Sequence, residues 1–87
     1  MTPKTASEGV IFGQRLRELR TERNLTQGEL AERCGSNHPF ISNLERGVKV
    51  PSLTMILRLA EALECRVCDL VEVFDLNEAR SPRRADK

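Results

Sequence analysis

The sequence predicts an all-α fold, a compact bundle of five short helices, and three observations predict it. Apolar residues recur at helical spacing along most of the chain. Helix start and stop residues punctuate that pattern at short intervals. The apolar side chains are almost all aliphatic, with three Phe and no Trp or Tyr among 87 residues. Leu, Ile, Val and Ala suit short interdigitating helices in a core this small. A hydrophobic share of 39% is too high for a disordered chain. No apolar run approaches the ~18 residues that span a bilayer.

Residues 1–8 are polar, include Pro3, and read as a loose N-terminal arm. From Val10 onward, Phe12, Leu16 and Leu19 form one face of a first helix. Arg15, Arg17, Glu18, Arg20, Glu22 and Arg23 cover much of the remainder. Gly13 costs helix propensity there, which predicts a closely packed neighbour. The helix is expected to end near Asn24, a residue that tolerates a left-handed turn. Thr26-Gln27-Gly28-Glu29 is a capping-box pattern that opens a second helix, with Leu30, Ala31 and Cys34 inward and Gly35 as its stop. Asn37 caps a third, and Pro39 fits its first turn, where no intrahelical amide bond is lost. That helix is expected to run to about Arg46, with Ile41 and Leu44 inward, before Gly47. Two helices of about eight residues joined by a Gly-containing turn form a candidate helix-turn-helix. Ser52 caps a fourth helix carrying Leu53, Ile56, Leu57, Ala60 and Leu63, and a fifth holds Val67, Leu70, Val71 and Phe74. The expected domain is 9–76, and residues 77–87, polar, basic and broken by Pro82, read as a disordered tail.

The formal net charge of +1 hides a gradient. Residues 1–50 carry +2, residues 51–79 carry −4, and residues 80–87 carry +3. A basic front and an acidic back orient a molecule toward a polyanion even when the total is small. The first nine residues lack the apolar stretch of a secretory signal, and the three cysteines fit a reducing cytoplasm better than a disulfide scaffold.

Leu25-Thr26-Gln27, Leu30-Ala31-Glu32, Ile41-Ser42, Leu44-Glu45-Arg46-Gly47 and Pro51-Ser52-Leu53 follow one another in an order and spacing that closely resembles the phage-repressor/Cro-type (XRE) helix-turn-helix family. Preceded by FGQRLRELR, the resemblance covers roughly residues 10–74 and is similar to small controller-type regulators. It implies a lambda-repressor-like domain in which the second and third helices form the motif. It also implies a sequence-specific transcriptional regulator, a repressor or controller protein, that pairs as a homodimer on a palindromic operator. In this family the third helix enters the major groove, whose base edges present distinguishable donor and acceptor patterns. The base-reading positions then fall on His38, Pro39, Phe40 and Asn43. Asn43 has the chemistry for a bidentate pair with adenine, Phe40 for a thymine methyl, and Pro39 shapes the entry of the helix. Thr26, Gln27, Asn37, Ser42, Arg46 and Lys49 are the phosphate candidates. Which of Arg15 and Arg17 faces DNA is open. The resemblance further suggests that Arg20 pairs with Glu45. With DNA on the basic end, the dimer surface is expected at the acidic end on the fourth and fifth helices, and Leu70, Val73 and Phe74 are its candidates because a domain this small is not expected to bury them all.

Competing readings attach to several of these residues. Asn43, Gln27 and His38 are alternatively ordinary exposed polar residues, and Phe40 alternatively packs against its own domain. Ser36 stands where the family has an apolar residue, Glu64 where it commonly has Gly, and Arg66 where it has a Ser-like cap; the last two leave the start of the fifth helix open. Cys65 and Cys68 have the spacing of a zinc or redox pair, yet only Cys34 and His38 remain as further soft ligands. Cys65 otherwise reads as a small core residue. The expectation is therefore no cofactor and no metal. One histidine, no nucleophile–base set and no Gly-rich phosphate loop argue against an enzyme. The alternatives of another class are an antitoxin or a protein-interaction adaptor on the same fold, or a redox- or zinc-responsive regulator. Expected partners are double-stranded DNA, a second copy, and RNA polymerase or a toxin, with no membrane. The expected location is cytoplasmic, at the nucleoid.

Overall fold

The computed structural model describes residues 7–76. Residues 1–6 of the expected arm and the expected tail at 77–87 lie outside the described residues. Five helices follow in order: α1 (Glu8–Glu22), α2 (Gln27–Cys34), α3 (His38–Glu45), α4 (Leu53–Leu63) and α5 (Val67–Leu76). α1 begins within the stretch expected as arm, because the Ser7 hydroxyl accepts from the Val10 amide at 3.3 Å and Glu8 complements the dipole of the first turn.

Local chemistry sets the remaining boundaries. Asn24 ends α1 with a φ of 58°, in the left-handed region. At α2, Thr26 Oγ1 accepts from the Glu29 amide at 3.0 Å, and the Glu29 carboxylate accepts from the Thr26 amide at 2.8 Å. Gly35, at φ 75°, then turns the chain sharply into α3 while the Ser36 amide donates to Ala31 at 2.8 Å. Asn37 and Ser52 cap α3 and α4 through side-chain oxygens, at 2.9 and 3.1 Å. Glu64, at φ 56°, occupies the left-handed position that ends α4, a conformation most side chains resist. The family's Ser-like cap is missing before α5. Its place is partly filled from inside the helix, where the Asp69 carboxylate accepts from the Arg66 amide at 2.9 Å.

α1 packs on α3 and α5, α2 on α3 and α4, and α4 on α5. Phe12, Leu16, Leu19, Leu30, Ala31, Cys34, Ile41, Leu44, Leu59, Ala60, Ala62, Leu63 and Leu70 form the buried core. α4 is turned relative to the expected face. Leu59 and Ala62 are buried, whereas Leu53 and Leu57 are 70% and 49% exposed. Leu70 has no exposed surface, so it belongs to the core and has nothing to give to a partner. Gly13 explains how α1 reaches α3: a Cβ there would lie 2.3 Å from the Leu44 carbonyl oxygen.

Long cationic side chains tie this core together at its edges. Arg23 donates to the Leu63 carbonyl at 2.5 Å, and Arg33 to Ala62 at 3.4 Å, placing two cations at the C-terminus of α4. Arg15 donates to the Asp69 carbonyl at 2.8 Å and faces Glu72 at 3.8 Å. It is engaged with α5.

Candidate nucleic-acid interface

The turn at Gly35 presents the start of α3 beside the start of α2. A surface concavity lies there, lined by residues that include Arg17, Thr26, Gln27 and His38, with Arg20 at its inner side. Arg17 is exposed and Arg15 is engaged elsewhere, so of these two it is Arg17 that borders the hollow.

A polar chain runs beneath it. Arg20 donates to Glu45 twice, from Nε to Oε2 at 2.5 Å and from Nη2 to Oε1 at 3.0 Å, and also to the Leu25 carbonyl at 2.8 Å. The two side chains are 11% and 3% exposed, so this is an ion pair largely withdrawn from water. It clamps α1 to the end of α3. Gln27 Nε2 donates to Glu45 Oε1 at 2.9 Å, and Gln27 Oε1 meets His38 Nε2 at 2.7 Å. The second amide hydrogen of Gln27 has no acceptor among the described residues. This chain links the far end of α3 to its first residue, across separations of 25, 18 and 11 positions.

The other candidates take distinct places. His38 and Pro39 occupy the first turn of α3 and are exposed. Phe40 is half-buried and packs against the core, which leaves it little ring to offer a base. Asn43 is half-buried, and its Oδ1 accepts from Arg46 Nη2 at 2.5 Å. That bond takes one of the two lone pairs of Oδ1, and a bidentate adenine contact draws on the other. Thr26 and Asn37 hold helix starts with their oxygens, while the Thr26 hydroxyl hydrogen and the Asn37 amide hydrogens stay available. Ser42 is half-buried on α3, and Lys49 is exposed in the loop after it. On the opposite side, Val73 and Phe74 of α5 are half-buried.

The cysteines are unpaired. Burial pushes the Cys34 thiol up from its ordinary value, and burial does the same to Cys65, against the opposing pull of Arg23. Cys65 packs against the core as a small structural residue, whereas Cys68 is exposed. Among the described residues no three His, Cys, Asp or Glu side chains converge to hold a metal ion. No described helix is long and apolar enough to cross a membrane.

Two short helices joined through a left-handed glycine, with the second presenting its polar first turn beside the capped start of the first, define a helix-turn-helix DNA-binding domain. The helix-turn-helix family model matches residues 16–70, and the chain belongs to that family, in its phage-repressor (XRE) branch. It is similar to the restriction-modification controller protein C.AhdI from Aeromonas hydrophila, with 43% identity and a TM-score of 0.72 over 75% of this chain and 98% of that one. Control protein C.BamHI from Bacillus amyloliquefaciens is 34% identical over 64 residues, 72% of this chain and 79% of its own length. The immunity repressor protein of Bacillus phage phi105 is 37% identical over 62 residues, which cover 71% of this chain and 43% of the repressor. The chain is a transcriptional regulator with a helix-turn-helix DNA-binding domain.

Proposed function

We propose that this regulator binds a palindromic operator as a homodimer, with the first turn of α3 in the major groove and the start of α2 on the phosphate backbone. The observation that carries this reading is the concavity where Arg17, Thr26, Gln27 and His38 meet. It sets a cation, free amide hydrogens and an exposed imidazole side by side at two helix starts, the arrangement that suits a phosphate next to a base edge. Thr26, Gln27, Asn37, Ser42, Arg46 and Lys49 serve phosphates; His38 and Asn43 read bases, and Pro39 sets the entry of the helix. Phe40 contributes mainly by packing.

An α3 of eight residues reaches few base pairs, so two-fold pairing supplies the remaining affinity and demands symmetric half-sites about one DNA turn, roughly 34 Å, apart. The pairing surface we assign lies on α4 and α5, away from the basic face. Leu53 and Leu57, one turn apart on α4 and both exposed, take the part that sequence reasoning gave to Leu70, with Val73 and Phe74 retained. The similarity to C.AhdI and C.BamHI supports a controller-type role, in which occupancy of a promoter represses transcription or an exposed acidic face recruits RNA polymerase.

The test is selection from random duplexes at near-physiological salt, followed by sequencing of the bound pool. A palindrome with half-sites one turn apart is the expected result. Folded protein that enriches no sequence overturns the reading in favour of a toxin or another protein partner.

A further inference from the structure

The hydrogen bonds that hold His38 have a direction, and it is set at the opposite end of the polar chain. Arg20 carries donors only, and the Glu45 carboxylate that it grips carries acceptors only. Gln27 lies 2.9 Å from Glu45 Oε1, so the group it turns there is its amide NH2. Its carbonyl oxygen therefore faces His38 Nε2 at 2.7 Å. An acceptor on that side requires the ring to donate, which puts the proton of a neutral imidazole on Nε2. Nδ1 is left with a bare lone pair. It has no hydrogen bond among the described residues, and His38 is exposed at the first position of α3.

The geometry points to His38 as a specificity-determining residue whose neutral imidazole enters the major groove as an acceptor and selects a base bearing an exocyclic amine. Adenine N6 and cytosine N4 are donors in that groove, whereas guanine O6 and N7 and thymine O4 are acceptors. A lone pair facing one of the acceptors gains nothing and loses its water. The inference rests on the DNA-binding reading above and adds the chemical class of base at one position of each half-site. Gln27 and Glu45 act on that base as positioning residues, through the tautomer of the ring.

Substitution at Gln27 changes the direction while leaving the Arg20–Glu45 pair in place. Gln27→Lys offers donors alone, to Glu45 on one side and to the ring on the other. Nε2 must then accept, the proton moves to Nδ1, and His38 becomes a donor. Gln27→Met offers neither and releases the ring. The chain has a single histidine, so a long-range proton–nitrogen NMR spectrum in alkaline buffer reports this tautomer without assignment. The expected spectra show the proton on Nε2 in the wild type and on Nδ1 in Gln27→Lys.

Random-duplex selection with the same three proteins reads the consequence. The wild type is expected to favour adenine or cytosine by about tenfold at one symmetric position on the strand His38 faces. Gln27→Lys is expected to favour guanine or thymine there, and Gln27→Met neither. Each preference is a ratio within one protein, so the added phosphate attraction of a lysine cancels. A wild-type ring protonated on Nδ1 overturns the inference. So does a base preference that stays the same in all three proteins while the proton moves; the operator-binding reading then survives. No enriched sequence from any of them overturns both.

Discussion

Replacing Gly13 by Ala adds one methyl group where α1 meets the C-terminal end of α3. The new Cβ would lie 2.3 Å from the Leu44 carbonyl oxygen, 2.6 Å from that of Glu45 and 2.9 Å from the Glu45 carbonyl carbon. All three are backbone atoms, so no side chain can swing aside. Ordinary contact begins at 3.4 Å, which requires the two helices to part by about 1 Å. In an isolated helix Ala is favoured over Gly by about 1 kcal/mol. Overpacking a rigid core costs about 1–3 kcal/mol, and a backbone wall belongs at the upper end of that range. The net expectation is a loss of about 2 kcal/mol, which in a domain of this size lowers Tm by roughly 8–16 °C. Urea denaturation followed by circular dichroism measures it. The displacement also moves Glu45, and with it the polar chain to His38, so operator affinity should fall at temperatures where the variant is still folded. A variant as stable as the wild type would refute the close approach on which this account of α1 and α3 depends.

The Arg20–Glu45 pair predicts a larger effect. Arg20→Met strands a carboxylate that is 3% exposed, at a cost on the order of 3–5 kcal/mol by denaturant titration. Glu64→Gly relieves a left-handed position at φ 56° and should raise stability by about 0.5–1 kcal/mol, checked as a rise in the urea midpoint. Asn43→Ala should weaken binding at one base pair by a step worth roughly 1–3 kcal/mol, while Lys49→Ala weakens specific and non-specific duplexes more evenly; competition titrations against both kinds of DNA separate the two roles. The folded thiols of Cys34 and Cys65 sit above their ordinary value of 9.0, so burial stabilises the neutral form that dominates below pH 9. That contribution is lost as pH rises above 9, because the unfolded chain sheds those protons first. The urea midpoint should therefore decline on the alkaline side, and less steeply in Cys34→Ala.

The parts of the fold that sequence reasoning captured have local causes. The capping box at Thr26 and Glu29, the Asn37 cap and the left-handed Gly35 each follow from residues within one turn of the feature they explain. Ser7 escaped notice because a polar stretch containing Pro3 reads as arm until the amide that Ser7 caps is seen. On α4 the apolar stripe is wider than the surface available to bury it. Periodicity locates the stripe, but tertiary packing chose Leu59 and Ala62 for the core and left Leu53 and Leu57 in water. Leu70 went the other way, since a short α5 between α1 and α4 gives it neighbours on every side.

The site was legible as a set of positions and illegible as a network. Resemblance placed His38, Gln27 and Glu45 in the motif but said nothing of the bonds among them. Those bonds span 11 and 18 positions and leave no periodic trace. Long flexible side chains were similarly silent. Arg15 and Arg17 are two residues apart on one helix, yet Arg15 is bound to α5 while Arg17 borders the concavity. The Asn43–Arg46 bond spans one turn at the end of α3 and uses one lone pair of the oxygen assigned to a base.

The central claim is that DNA is gripped by the starts of α2 and α3, and backbone amide shifts of nitrogen-labelled protein, titrated with its selected duplex, test it most directly. The account predicts that the largest shifts fall on Thr26, Gln27, His38, Asn43 and the neighbouring turn, with Arg17 following and Glu72 on α5 responding only through pairing of the two copies. Shifts centred on α4 and α5, with the first turn of α3 unmoved, would contradict it.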